Sequence, residues 1–390
     1  MMRKTLFFAS LLALATLTFT ACEKDDTDFS AYINATGTTS SVTTIYISYD
    51  GTTVSVSGDD NGYVSTSGAD VTVNTGNDTD SLLIVLSGST TDGSLLVYRE
   101  KKYGIMLNGV SINNADGPAI NNQCGKTLYL EVADNTDNTL SDGTTYTTQT
   151  YDQKGAFFSE GQVYFRGNGT LSVTGSYKHA IACDDYIVFD GANVSATSSA
   201  GHGIKVNDGL WIQDGTLTVS TTADGGRGIK CDSVVVVSGG TTTITTTGDC
   251  LIETTDGVAD TTSAACIKCA YAFTMTAGTL TMSSSGDGGK GISCDATVTV
   301  SGGTFQAVTT GSNNDGKPKA VKADEGIILS GGSFFAKTTK SWACDNGSDS
   351  ETYAERVTVS GTPSETATIT YDSYTYTSPY YAKRVVYVAF

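Results

Sequence analysis

Corners built on glycine return at a near-constant interval along this chain: Asn168-Gly169, Gly191-Ala192, Asp214-Gly215, Gly239-Gly240, Ala277-Gly278, Gly302-Gly303, Gly331-Gly332 and Ser360-Gly361. Successive corners lie 23 to 29 residues apart, save one interval of 38. Two β-branched runs flank each corner, and each unit opens on a short apolar-x-apolar-Asp motif. The motifs are Ile181-Ala182-Cys183-Asp184, Ile204-Lys205-Val206-Asn207, Ile229-Lys230-Cys231-Asp232, Ile267-Lys268-Cys269-Ala270, Ile292-Ser293-Cys294-Asp295, Val321-Lys322-Ala323-Asp324 and Trp342-Ala343-Cys344-Asp345. A period of this size, made of short strands without helical spacing, belongs to a β-solenoid. Leucine-rich repeats share the period, but their Leu/Asn pattern and helical half are missing. The expected fold is all-β, a single-stranded right-handed parallel β-helix.

Strand alternation assigns the faces. Ile187, Leu210, Val235, Phe273, Val298 and Ile327 form one inward column, and Phe189, Ile212, Val237, Met275, Val300 and Leu329 a second. Between them Val188, Trp211, Val236, Thr274, Thr299 and Ile328 face outward. After the corner, Leu217, Leu280, Phe305 and Phe334 point in, while Ser195, Thr218, Thr243 and Thr281 point out. In a β-helix these columns stack at about 4.7–4.9 Å, so each is a physical ladder. Such a stack needs a cover at each end. Residues 41–75 and the aromatic tail Tyr371 to Phe390 are the expected caps.

The start of the chain reads as an export signal. Arg3 and Lys4 precede an apolar run, Leu6 to Ala15, too short for a comfortable membrane span. The run ends at Phe19-Thr20-Ala21-Cys22. This resembles a bacterial lipoprotein signal: residues 1–21 would be removed, Cys22 lipidated, and residues 22–40 left as a polar tether to a β-helix over 41–390. Glu23-Lys24-Asp25-Asp26 resembles the acidic export tag of Bacteroidetes lipoproteins, which implies lipid anchoring in the outer membrane with the chain exposed at the cell surface. The net charge of −18 argues against nucleic acid or anionic lipid as partners. Membrane contact is expected only through the N-terminal lipid, and the protein is expected to be a monomer.

Residues 62–360 resemble a bacterial carbohydrate-binding family of parallel β-helices related in shape to pectate lyases. The stretches that carry the resemblance are Leu107-Asn108-Gly109-Val110-Ser111-Ile112-Asn113-Asn114, then Gly117-Pro118-Ala119-Ile120, and Asn138-Thr139-Leu140-Ser141-Asp142-Gly143. Repeated Gly-Gly-Thr and Asp-Gly-Gly elements complete it. The resemblance implies a calcium-containing binder of polysaccharides of the acidic or cellulose-like (β-glucan) type. A β-helix also hosts lyases, hydrolases and adhesins, so the shape alone selects none of these.

The columns offer chemistry of their own. Asp184, Asn207, Asp232, Asp295, Asp324 and Asp345 share one repeat position, thickened by Asp185 and Asp208. Carboxylates stacked about 4.8 Å apart repel by roughly 1 kcal/mol in water and more near a protein surface. Calcium would offset this, since it takes six to eight oxygens and bridges carboxylates. The turns holding Asp224 and Asp287 are a second oxygen source. Asp184, Asp185, Asp208, Asp224, Asp232, Asp287 and Asp295 are thus the candidate calcium ligands. The competing reading lies in the same alignment: Lys205, Lys230, Lys268 and Lys322 stand two residues before the Asp column, where an ion-pair ladder would do the same work.

His179, His202, Arg227, Lys290 and Lys319 mark the corner that opens each coil, and would form a positive strip suited to uronate carboxylates. Trp211, outward on a flat sheet with Tyr186 nearby, is the candidate for sugar stacking. Trp342 falls at an inward position and reads as core. The carbohydrate-binding candidates are therefore Trp211, Arg227, Lys205, Lys230, His202 and Tyr186. The alternative is a calcium-dependent polysaccharide lyase, with Arg227 or Lys230 as base beside Asp232 and Asp295; a structural adhesin comes third. No motif selects a catalytic residue. Cys183, Cys231, Cys269, Cys294 and Cys344 read as one buried column of thiols. Cys250 and Cys266 bracket an insertion, Leu251 to Ala265, where a disulfide is possible.

Overall fold

A computed structural model describes residues 42–78, 80–255, 258–348 and 352–390. The expected signal peptide, Cys22 and the tether lie outside the described residues. The chain forms a parallel β-solenoid of about eleven turns. No α-helix occurs among the described residues; one 3-10 turn spans Tyr353–Arg356. One ladder of short strands runs through His179–Cys183, Ile204–Val206, Arg227–Cys231, Ala265–Cys269, Lys290–Cys294 and Lys319–Ala323. The second sheet stacks the strands before and after each glycine corner, as in Tyr186–Ser198 on Gly209–Thr221 and Thr297–Thr309 on Gly326–Thr338.

The inward columns are as the alternation predicts. Ile187, Leu210, Val235, Phe273, Val298 and Ile327 pair coil to coil and are buried, as are Phe189 through Leu329. Identical positions stack like with like: the Phe165 and Phe189 rings lie 5.0 Å apart and those of Phe305 and Phe334 4.7 Å apart. Burying each such side chain contributes about 1.5–3 kcal/mol, and the stack repeats it down the molecule. The ends are closed by antiparallel strands. Thr53–Ser57 pairs with Thr43–Asp50, and Val64–Ser67 with Asp70–Gly76. At the other end Val385–Ala389 runs antiparallel to Gly326–Thr338, and Phe335 packs against Tyr371, Tyr376 and Tyr387.

The structure departs from the sequence reading in several places. Cys344 pairs with Val321 rather than Ala323, so it joins the isoleucine column and Asp345 stands opposite Lys322. The last strand is only two residues long, Cys344–Asp345, so little ladder bonding fixes its register. Trp342 is not core: half-buried, it lies between the Arg356 guanidinium at 3.7 Å and the Lys383 ammonium at 4.8 Å. The insertion is an antiparallel hairpin of Leu251–Thr255 and Val258–Thr262, and the coil resumes at Ala265–Cys269. No disulfide spans it, because Cys266 points into the core while Cys250 sits against the Asp287 carbonyl.

Candidate functional site

The apolar-x-apolar-Asp strand brings lysine and aspartate to one face because they are two residues apart. The pairing then runs between coils. Lys205 Nζ reaches the next coil to Asp232 Oδ2 at 2.6 Å while also holding Asn207 Oδ1, and Lys230 adds a second contact to Asp232 at 3.6 Å. Lys154 meets Asp184 and Lys268 meets Asp295 of the next coil in the same way, while Lys322 meets Asp324 of its own coil at 2.6 Å. Burial pushes the Asp232 carboxyl up, but Lys205 and Lys230 more than offset it and hold it below the usual carboxylate range. Repulsion along the column is therefore already relieved by lysine. These pairs are half-exposed at best and contribute little stability each.

The seven expected calcium ligands are divided between two corners. Asp184, Asp185, Asp208, Asp232 and Asp295 follow the short strand. Asp224 and Asp287 precede it, and there each carboxylate serves the backbone of a neighbouring coil. Asp224 Oδ1 accepts from the Asp249 N–H at 2.9 Å and Asp249 Oδ1 from the Asp287 N–H at 2.7 Å. Asp287 in turn accepts from the N–H groups of Asn314 and Asp315 at 3.1 and 3.0 Å. This is turn chemistry repeated as a ladder. Among the described residues, one carboxylate oxygen from each of Asp152, Glu160 and Asp184 lies within 4.8 Å of the other two, with Lys154 on Asp152 at 2.7 Å and on Asp184. Burial, then the Asp184 charge, pushes the Glu160 carboxyl up. Asp152 and Glu160 precede the first apolar-x-apolar-Asp motif, at Ile181, so the repeat does not point to them.

The expected positive strip is weaker than its composition suggests. The His179 and His202 rings stack 4.8 Å apart, and the Nδ1 atoms accept from the backbone N–H groups of His202 and Arg227 at 3.1 and 3.2 Å. Burial, followed by nearby cations, lowers His179 to about 4, and burial followed by His179 lowers His202 to about 2. Both imidazoles are neutral near pH 7. Arg227 donates to the Gly225 carbonyl at 3.1 Å, and burial lowers its pKa. Ala265 separates Arg227 from Lys290 and Lys319 in the same column.

The outward column of the larger sheet carries a different feature. In register, Tyr129, Tyr164, Val188 and Trp211 occupy four consecutive coils, and Tyr186 stands two residues before Val188. The rings form a continuous chain of contacts: Tyr129 to Tyr164 at 5.4 Å, Tyr164 to Tyr186 at 6.0 Å, and Tyr186 to Trp211 at 5.6 Å edge to face. The Tyr164 and Tyr186 hydroxyls lie 3.2 Å apart, and Arg166 lies over both Tyr129 and Tyr164 at 5.2 and 5.3 Å. Trp211 lies over Gly209, where an added Cβ would come within 2.4 Å of the indole. Four coils make the ladder about 14 Å long. Val188, expected outward, is buried where its neighbours in register are Tyr164 and Trp211. Carboxylates border the ladder: Asp190 pairs with Arg166 at 3.4 Å, and Asp185 and Asp208 mark the preceding corner. Of this group the sequence had singled out Tyr186, Trp211, Asp185 and Asp208. Extending the Trp211 column back two coils would have found Tyr164 and Tyr129.

Comparison with known proteins fits this architecture. Residues 67–340 match the family model described as carbohydrate-binding domain-containing protein. A protein of the same description from Acetivibrio thermocellus (strain ATCC 27405) is 26% identical over 118 residues, 29% of this chain and 41% of the relative. The match thus spans less than half of that relative's length. A solved structure, the polysaccharide lyase-like protein from C. thermocellum in a gadolinium derivative, superposes with a TM-score of 0.55 at 22% identity. That alignment covers 67% of this chain and 99% of the other, and it shows a shared fold.

Proposed function

The chain belongs to the carbohydrate-binding domain family, and from that premise we propose that it binds polysaccharide at the cell surface, seating a cellulose-like chain on Tyr129, Tyr164, Tyr186 and Trp211. The observation that carries this reading is the unbroken ring-to-ring contact across four coils. Flat sugar faces stack on aromatic rings, which bring large contact area with few rotatable bonds. The bordering carboxylates favour a neutral chain over a polyanion at this ladder. Of the other predicted residues, Lys205 and Lys230 hold Asp232, and the half-buried His202 and Arg227 hold backbone groups, so they support the sheet edge rather than the seat.

Calcium enters the same proposal at Asp152, Glu160 and Asp184, where one oxygen from each carboxylate would supply part of the six to eight that calcium takes, with Lys154 displaced. The ion would supply a fixed positive charge at this acidic corner. Retention of the purified chain on cellulose, polygalacturonate and neutral plant glycans, with and without EDTA, tests both parts. Retention on cellulose-like glycan without ultraviolet-absorbing unsaturated product is expected, reduced by EDTA and restored by calcium. Retention indifferent to EDTA removes calcium from the reading. Unsaturated product would instead make the protein a lyase and bring Arg227 and Lys230 to the centre.

Surface anchoring rests on Arg3, Lys4, the apolar run and Cys22. Cys22→Ser is expected to move the protein from the membrane fraction to the soluble fraction of the producing cell. An unchanged distribution would end the lipid-anchor reading.

A further inference from the structure

The inserted hairpin does more than lengthen one coil: it walls a cleft of about 390 Å³ with Thr261 and Ser263, opposite the loop Asn313 to Lys317. Lys290, Lys317, Lys319 and Lys322 line it, in a chain with 41 acidic and 23 basic residues. Two of the four are neutralised, Lys319 by Asp345 and Lys322 by Asp324. Lys290 contacts only neutral oxygens, the Ser263 hydroxyl and the Gly288 carbonyl at 3.3 Å. Among the described residues no carboxylate stands within ion-pair distance of Lys290 or Lys317. Asp315 is the single acid of the lining, and its backbone N–H is held by Asp287, which fixes the far wall.

We propose that this cleft is a second binding site, for one oxyanion of a glycan, either a uronate carboxylate or a sulfate ester. Lysine ammoniums converging on a concave surface bind such groups by charge-assisted hydrogen bonds. Ser263 and Asn314 add neutral donors beside them. The cleft lies three coils beyond Trp211 and on the other side of the short strand, so it acts separately from the aromatic ladder. Its role in glycan recognition rests on the polysaccharide-binding reading; its capacity for an anion does not.

Protonation is linked to occupancy. Burial, with repulsion from Lys319, Lys322 and Arg227 and opposition from Cys250, lowers Lys290 to about 8. An anion favours the charged lysine, so binding is full below pH 8 and is lost as the pH rises through it.

The test is calorimetric titration with sodium sulfate, with galacturonate and with glucose, at ionic strength matched by sodium chloride. Saturable binding of sulfate, galacturonate or both is expected, with none for glucose. Affinity is expected to fall at least fivefold in Lys290→Met and in Lys317→Ala, to fall about tenfold between pH 7 and 9, and to be unchanged in Trp211→Ala. Lys317 is exposed, so its variant keeps the test valid should Lys290→Met fold poorly. Sulfate binding alone identifies a sulfate-ester site; galacturonate binding identifies a uronate site. Absence of saturable binding by either anion, or binding retained in a folded Lys317→Ala variant, overturns the proposal. Loss of cellulose retention alongside intact anion binding would instead count against the aromatic ladder alone.

Discussion

Gly286→Ala is expected to destabilise the protein by about 3–5 kcal/mol, the range in which single substitutions become severe. Gly248, Gly286 and Gly311 follow one another at the turn before the short strand. A Cβ added at Gly248 would come 1.9 Å from the Ala223 carbonyl oxygen, one at Gly286 1.8 Å from that of Gly248, and one at Gly311 1.7 Å from that of Gly286. These obstacles are backbone atoms, which no rotamer change removes. The coils cannot spread locally either. On one side of Gly286 the Ser285 N–H donates to the Thr246 carbonyl at 3.0 Å, and on the other the Asp287 N–H donates to Asp249 at 2.7 Å. Relief of the clash must therefore break ladder bonds in a buried turn, leaving polar groups without partners. Gly125 is the control, since a Cβ there meets nothing within 4 Å. Denaturant unfolding of the two variants checks this. A Gly286→Ala midpoint close to that of Gly125→Ala would mean that the coils slide apart freely, contrary to the stacking argument.

The glycine ladder also shows why so much of the fold was legible. A solenoid reuses each position, so one misread residue is corrected by its neighbours above and below. Ile187 to Ile327 and Phe189 to Leu329 could be assigned inward from alternation alone, because six coils agree. Where the repetition ends, that redundancy is lost. Cys344 and Asp345 match the motif of Cys294 and Asp295 in type, yet they pair with Val321 and Lys322, and Asp345 is drawn to Lys319 and Arg356 near the end of the stack. The coils before Asn168 lack the regular motif, so alignment on it does not reach Tyr129, Tyr164 and Arg166.

Charge was less legible than position. Lysines and aspartates could be placed in adjacent columns, but not the reach of Lys205 into the next coil to Asp232. His179 and His202 count as basic in a sequence and are neutral in the fold, because burial and mutual stacking decide their protonation. The Asp224 and Asp287 carboxylates looked like cation ligands and are occupied by backbone N–H groups. A column of like residues fixes geometry, while the partner that satisfies it comes from a different column.

Trp211→Ala is expected to weaken retention on a cellulose-like glycan by about 2 kcal/mol or more, roughly 30-fold, as truncating a tryptophan anchor commonly does. Its indole closes the ladder beside Tyr186, to which it stands at 83°, so its removal shortens the stacking surface and leaves Tyr164 as the ring neighbour of Tyr186. The loss is one of binding rather than folding. Trp211 faces outward between the buried Leu210 and Ile212, which stay in place, and Gly209 beneath the ring offers no side chain to collapse. Trp211→Phe keeps a smaller ring on the same Cβ and is expected to recover most of the affinity. Tyr164→Phe removes only the hydroxyl 3.2 Å from Tyr186 and is expected to cost less than either. Affinity electrophoresis in soluble glucan, with unfolding midpoints measured beside it, separates the two effects. Parent-like migration of a folded Trp211→Ala variant would show that sugar does not sit on this ladder, and the binding face would then have to be sought on another side of the solenoid.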